Sequence, residues 1–138
     1  MKRFCLTALL LMIAACSGAG KASTLKTDVA DFARYMRWGM IEKAADLVPS
    51  ARRISFITQK RSAQANMMIH EYDIRAVEPD ATGEHARVLV QATWSRPNDP
   101  VMRTELMEQK WEWTERHWQM VEQKPVETQA PTTPDEGL

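Results

Sequence analysis

Apolar residues recur along this chain at two periods, and the change of period divides it. Val29, Phe32, Ala33, Met36 and Met40 follow the three- and four-residue spacing of one helix face. Thr24 or Thr27 is placed to cap that helix, and Gly39 marks a break or kink. The stretch IEKAADLV, 41–48, continues helically as far as Pro49. Pro49 and Ser50 then open a further helix over ARRISFITQKRSAQAN, with Ile54, Ile57 and Phe56 turned inward.

After Asn66 the period becomes two. Tyr72, Ile74 and Ala76 alternate with Asp73 and Arg75, and PDATG, 79–83, is turn chemistry. Ala86, Val88, Val90, Ala92 and Trp94 alternate with Arg87, Leu89, Gln91 and Thr93. If the 79–83 loop closes a hairpin, Ile74 lies opposite Val88 and Tyr72 opposite Val90. RPNDP, 96–100, makes the next turn before a long strand from Val101 to about Thr114. A two-residue turn at Glu115-Arg116 then leads into a strand from His117 to Gln123, pairing Trp113 with Trp118 and Trp111 with Met120. Parity slips between Leu106 and Met107. A β-bulge there returns the apolar set to one face; otherwise the sheet is apolar on both faces and predicts a partner.

Three helices followed by four antiparallel strands define an α+β layer packing: N-terminal helices on a curved four-stranded antiparallel sheet. The early RWGMIEKAADLVPSARR pair and the closing QKWEWTERHWQMVEQ hairpin resemble the cystatin-like α+β superfamily typified by nuclear transport factor 2 and ketosteroid isomerase. The resemblance covers residues 27–124. It implies a cone between helices and sheet, and a superfamily that holds enzymes, small-molecule binders and assembly modules, so the fold does not select a function.

The N-terminus stands apart. Lys2 and Arg3 precede an almost uncharged run from Phe4 to Ala15, shorter than the roughly 20 residues that span a bilayer. This is the pattern of a secretory signal peptide, 1–15. Ile13-Ala14-Ala15-Cys16 resembles the lipobox of bacterial lipoproteins. That resemblance implies cleavage after Ala15, a diacylglyceryl group on Cys16 Sγ, acylation of the new amine, and, with Ser17 next, sorting to the outer membrane of a two-membrane host with the domain facing the periplasm. Residues 16–26 are then the lipidated cysteine and a flexible tether, small and polar over SGAGKAST, and 27–124 the folded domain. Residues 125–138, rich in Pro, Thr and acids, read as a disordered tail.

Composition narrows the partners. The formal net charge is zero over 138 residues, which gives no electrostatic footprint for nucleic acid. The chain has two cysteines, Cys5 and Cys16. With Cys5 removed and Cys16 lipidated, no thiol pair remains, and the domain stands on its core.

Candidate chemistry is sparse. Asp73, Tyr72, Tyr35 and His70 are the residue types an isomerase would use, but no motif assigns them, and their plain reading is satisfied or exposed polar groups. His70, His85 and His117 lack paired ligand spacing, and Met67 and Met68 diverge along a strand, so no metal site and no cofactor is expected. Tyr35, Tyr72, Trp94 and Trp113 are the candidate lining of the cone. Arg52, Arg53, Lys60 and Arg61 form a local basic excess, either a solvated helix face or a contact for anionic lipid or polysaccharide. The expectation is an envelope-anchored, non-catalytic binding or assembly module for a partner protein or a small apolar ligand. The alternatives are an isomerase- or hydrolase-like enzyme using the same cone, and a spacer.

Overall fold

The structure is a computed structural model that describes the backbone of residues 16–127 and side chains from Gly20 onward. The signal segment with Ala15, and the tail from 128, lie outside the described residues; Cys16 is described only as the first backbone position of a helix. The elements run α1 (Cys16–Arg37), α2 (Ile41–Ala45), a 3₁₀ turn (Ser50–Arg52), α3 (Arg53–Gln64), β1 (Met68–Pro79), β2 (His85–Arg96), β3 (Asp99–Thr114) and β4 (His117–Pro125). The strands form one antiparallel sheet in the order β1-β2-β3-β4, with helices packed on one face.

Helix α1 departs from the expected tether. It is helical from Cys16, and Leu25 is buried, because the first turns lie over the closing hairpin: Trp118 Nε1 donates to Lys21 O at 2.9 Å. Thr24 and Thr27 therefore do not cap it. Their hydroxyls bond back to Gly20 O and Ser23 O inside the helix. The chain leaves α1 through Gly39 at φ +68°, a left-handed position, and Met40 falls outside the stripe and is exposed. In α3 Phe56 is buried and Ile57 half-buried, whereas Ile54, expected inward, is 82% exposed. It sits two residues before Phe56, on the opposite side of the helix.

The core joins Leu25, Val29, Phe32 and Met36 of α1 to Val88, Val90, Met107, Trp111, Trp118 and Met120 of the sheet. Phe32 meets the edge of Trp111 at 5.6 Å and 88°. Fully buried aliphatic and aromatic side chains of this size each contribute about 1.5–3 kcal/mol relative to exposure.

The last hairpin forms as its alternation requires, with Trp113 opposite Trp118 and Trp111 opposite Met120 around the Glu115-Arg116 turn. The first differs from expectation. Tyr72 pairs with Ala92 and Ile74 with Val90, two residues along from the predicted register. The offset is set at the turn, which closes with Pro79 opposite Ala86, three residues from that register; the irregularity between Ile74 and Ala76 takes back one residue, and a second lies between Ile69 and Glu71. No bulge lies between Leu106 and Met107, since β2 pairs through both without interruption. Met107, Gln109, Trp111 and Trp113 face the helices, while Met102 and Leu106 face out. β3 is thus apolar on both faces, the alternative to a bulge there; a separate irregularity lies in β4, where Lys110 pairs with Glu122, Trp111 with Met120, and Val121 is the extra residue.

These bulges position the site. Skipping His70 puts both Ile69 and Tyr72 on the inner face, and skipping Val121 turns Gln123 inward alongside Trp118 and Met120. The outer face carries a row of alternating charge across all four strands. Glu78 pairs with Arg87 at 3.0 Å, Arg87 with Glu108 at 2.6 Å, and Glu108 with Lys124 at 3.7 Å.

Candidate functional site

A cavity of about 110 Å³ lies between the helices and the inner face of the sheet, at the end where α1 finishes, α3 finishes and β1 begins. Its walls are apolar: Met36 and Ile41 from the helical layer, Ile69, Ala92 and Met107 from the sheet. Space of this size holds about one small ring or a short aliphatic segment, given that an engineered apolar cavity of roughly 150 Å³ binds benzene.

Beneath the cavity runs a closed polar network. Trp111 Nε1 donates to Gln109 Oε1 at 3.0 Å. Gln109 Nε2 donates to Tyr72 OH at 3.2 Å and to Gln123 Oε1 at 3.0 Å, and the Tyr72 hydroxyl donates to Gln123 Oε1 at 3.4 Å. Burial pushes the Tyr72 phenol far above its ordinary range, so the hydroxyl stays protonated and serves as a donor.

Two groups at the cavity are not satisfied in this way. Trp94 lines it, and its Nε1–H is shielded from solvent with no acceptor among the described residues. The indole ring is held from one side by Arg103, whose guanidinium carbon stands 5.3 Å from the ring centroid and is fixed by Asp99 at 2.6 Å. Lys60 of α3 also lines the cavity. Burial depresses its ammonium below the usual lysine range, and Glu105, which lines the same space, opposes that shift.

Of the four residues expected to line the cone, Tyr72 and Trp94 stand at the cavity. Tyr35 and Trp113 do not. Tyr35 is half-buried between Arg34 and Lys43, at 5.3 and 5.9 Å from its ring. Trp113 stacks edge-on to Trp118 at 5.7 Å, beneath Lys21 and away from the cavity lining. The expected basic surface is dispersed. Arg53 donates to Val48 O and Asp46 O, Arg61 pairs with Glu42, Lys60 turns to the cavity and Arg52 is exposed. His70 Nε2 meets Ser95 Oγ at 2.8 Å, His85 stands 3.9 Å from Glu112, and His117 contacts Gln119. Among the described residues no three ligating side chains cluster. Asp73 is exposed opposite Gln91.

Lys60, Gln109, Gln123 and Glu105 emerge only from the structure as parts of this site. For Gln109 the signal was present: a polar residue at an inward position of the Met107, Trp111, Trp113 series. Gln123 was hidden by the Val121 bulge. Two larger depressions, about 250 and 480 Å³, lie along charged residues that are largely paired with one another, Arg87 with Glu78 and Glu108 with Lys124 among them.

No known family profile matches the chain, and no curated protein matches it. Solved structures do resemble it. A nuclear transport factor 2-like (NTF-2-like) protein of unknown function from Shewanella oneidensis superposes with a TM-score of 0.58 at 7% identity, covering 75% of this chain and 97% of that one. A SEC-C motif containing protein from Rhodopseudomonas palustris gives 0.57 at 12% identity, over 67% and 71%. The intermembrane space region of the chloroplast protein ARC6 gives 0.51 at 16% identity, over 76% and 95%. At these identities the likeness concerns the fold: helices on a four-stranded antiparallel sheet, loosely similar to the nuclear transport factor 2-like class.

Proposed function

We propose that this chain is an envelope-anchored, non-catalytic binding module whose cavity receives one small, largely apolar group, either a free ligand or a side chain of a partner protein. The observation that carries the reading is the composition of the cavity: apolar walls of Met36, Ile41, Ile69, Ala92 and Met107 beside the Trp94 ring. The network beneath it is already closed on itself, which gives the site a rigid floor and leaves no free base there.

The anchor is the lipid on Cys16 implied by Ile13-Ala14-Ala15-Cys16. Cys16 begins α1 and Met36 lines the cavity, so the two are separated by about 30 Å of helix. A lipid at Cys16 would place the cavity at the end of α1 remote from the bilayer. Two acyl chains or more anchor stably where one does not. Among the described residues no helix is long and apolar enough to cross a membrane.

One observation favours the enzymatic alternative. Lys60 is a lysine of lowered basicity beside Glu105 in an apolar cavity, the environment that readies an amine for proton transfer.

Native mass spectrometry of the tagged full chain, extracted gently from its own membrane, tests the proposal. A diacylglyceryl mass on Cys16, together with a non-covalent adduct or a co-eluting protein that is lost on Ala92→Trp filling of the cavity while the lipid mass stays, supports it. A chain beginning at Met1 without lipid removes the anchor. A bare chain with no adduct or partner removes the binding module and leaves the spacer.

A further inference from the structure

Lys60 differs from the arginines around it. Arg37 donates to Ile69 O at 2.9 Å, Arg53 donates to Val48 O at 3.0 Å, and Arg61 pairs with Glu42. Lys60 has no ion-pair or hydrogen-bond partner among the described residues. It nevertheless lines the cavity, and its Nζ lies 5.7 Å from the ring centroid of the buried Phe56, tucked back along α3. The side chain as a whole is half-buried, so it stands where the cavity meets solvent. An ammonium partly withdrawn from water with no anion against it is costly, and the same desolvation lowers its pKa.

Glu105 of β3 does not fill that gap. It lines the same cavity, but it is exposed and forms no ion pair with Lys60, so its charge acts through water, where attraction is weak. Beyond Lys60 the walls are hydrocarbon: Met36, Ile41, Ile69, Ala92 and Met107. The polar network on the floor is closed on itself and offers no charge to a polar head. The site therefore has one cationic end and one apolar end. A carboxylate at the first gains a charge-assisted hydrogen bond, while a hydrocarbon chain in the second displaces water from the walls. A single negative charge suits the site, because Lys60 is the only cation of the lining and Glu105 stands near.

We propose that the occupant is a free short-chain carboxylic acid, bound as its monoanion, with its carboxylate on Lys60 Nζ and a hydrocarbon chain of about four carbons in the cavity. This rests on the binding-module reading and names the ligand class of that site. The ion pair orients the molecule with its head toward α3 and solvent and its chain toward Ala92 and Met107. Pentanoate has the size and the charge. Pentan-1-ol has the size without the charge, and pentylammonium reverses the charge.

The test is an NMR titration of the full chain with these three probes at pH 6, where the acid is ionised, following the backbone amides of Ala92 and Met107. Pentanoate is expected to shift both signals in a saturable manner and to bind about tenfold more tightly than pentan-1-ol. Lys60→Met keeps the stem of the side chain and removes the charge. In that variant pentan-1-ol is expected to bind as before and the preference for pentanoate to vanish. Equal binding of the acid and the alcohol by the unaltered chain overturns the carboxylate assignment and leaves the binding module intact. Tighter binding of pentylammonium than of pentanoate overturns it too, by assigning the choice of charge to Glu105. A preference for pentanoate that persists in Lys60→Met overturns the role of Lys60. Saturable binding by none of the three overturns this assignment and the small-ligand form of the binding module together. The comparison of acid with alcohol uses the unaltered chain, so it stands even where Lys60→Met fails to fold.

Discussion

Trp111 and Gln109, two residues apart on the inner face of β3, are joined by a 3.0 Å hydrogen bond from the indole N–H to the amide oxygen in the centre of the core. The same amide spends its nitrogen on Tyr72 and Gln123, so one glutamine, 1% exposed, satisfies side chains from three strands. Gln109→Leu preserves volume but leaves the Trp111 donor buried and unpaired, and strips Tyr72 and Gln123 of a donor. The expected loss in urea unfolding is about 2 kcal/mol or more, from a penalty of about 1–3 kcal/mol for each orphaned polar group. Tyr72→Phe, which removes a weaker 3.4 Å donation, is expected to cost less, about 1 kcal/mol. Unchanged stability in Gln109→Leu would show that the network is incidental.

Two glycines separate backbone strain from steric conflict. Gly39 and Gly83 both sit at left-handed φ, +68° and +69°. A methyl group at Gly83 meets nothing within 4 Å, while one at Gly39 would collide with Gln64 Nε2. Gly83→Ala is therefore expected to cost about 1 kcal/mol from φ alone, and Gly39→Ala about the same plus a small cost for displacing the end of the exposed Gln64 side chain. Adding Gln64→Ala is expected to bring the Gly39→Ala cost down to that of Gly83→Ala. Thermal melts of these three variants and of Gln64→Ala alone check this, and a Gly39→Ala cost several-fold above that of Gly83→Ala and unrelieved by Gln64→Ala would contradict it.

The charge row on the outer face makes stability depend on pH and salt. Hydrogen bonding from Arg87 holds the Glu108 carboxyl below the ordinary range, and Lys110 does the same for Glu122. A carboxylate with a lowered folded-state pKa contributes stability above its ordinary titration range and loses it as pH falls through the lowered value. Arg87→Met is expected to lower Tm slightly at pH 7 in low salt. The difference from the unaltered chain should close both at pH 3 and at 1 M salt, because these groups are solvated. A difference that persists in acid would assign the effect to lost packing of the arginine stem.

Asp28 carries the opposite sign. Its carboxylate accepts from the Trp118 backbone N–H at 3.1 Å, yet burial raises its pKa, with the neighbouring Asp31 adding and His117 opposing. The folded state thus holds this proton more tightly than the unfolded chain. The associated stability is fully present below the ordinary carboxylate range and is lost as pH rises through the raised value. Asp28→Asn keeps an oxygen for Trp118 and removes the buried charge. It is expected to melt higher than the unaltered chain at pH 7 and level with it at pH 3. A lower Tm at pH 7 would mean that the charge-assisted bond outweighs desolvation.

The period change after Asn66 and the aromatic hairpin were legible because each rests on local alternation. Trp113 and Trp118 must meet across a two-residue turn whatever the rest of the chain does. The parity slip between Leu106 and Met107 is not a bulge: β3 carries apolar residues on both faces, Met102 and Leu106 outward and Met107, Trp111 and Trp113 inward, which is the second of the two expectations, while the irregularities of β1 and β4 were not read from the sequence. A bulge shifts the alternation only of the strand that carries it, and in β1 and β4 the skipped His70 and Val121 are not marked by any change of residue type that alternation alone would single out. The cavity followed the same pattern. Tyr72 and Trp94 sit at regular inward positions, whereas Gln123 depends on Val121, and Lys60 and Glu105 reach the site only through packing of α3 against the sheet. Small residues at 17–24 read as a tether because helix propensity is a weak prior, and contact with Trp118 outweighs it.

That contact gives the sharpest test of where the domain begins. Leu25 is 1% exposed, Lys21 O receives the Trp118 indole, and Lys21 Nζ pairs with Glu84 at 3.5 Å, so residues before Thr27 belong to the folded unit. A fragment spanning 27–127 would lose all three interactions and leave the Trp118 N–H exposed or unpaired. One spanning 20–127 would keep them. Leu25→Ala in the full chain removes the hydrophobic part alone and is expected to cost about 3 kcal/mol, within the range for leucine truncation in a packed core. The 27–127 fragment should lose at least as much in urea unfolding, and the 20–127 fragment little. If 27–127 proves as stable as 20–127, the first turns of α1 contribute nothing, and the flexible segment expected from SGAGKAST is restored.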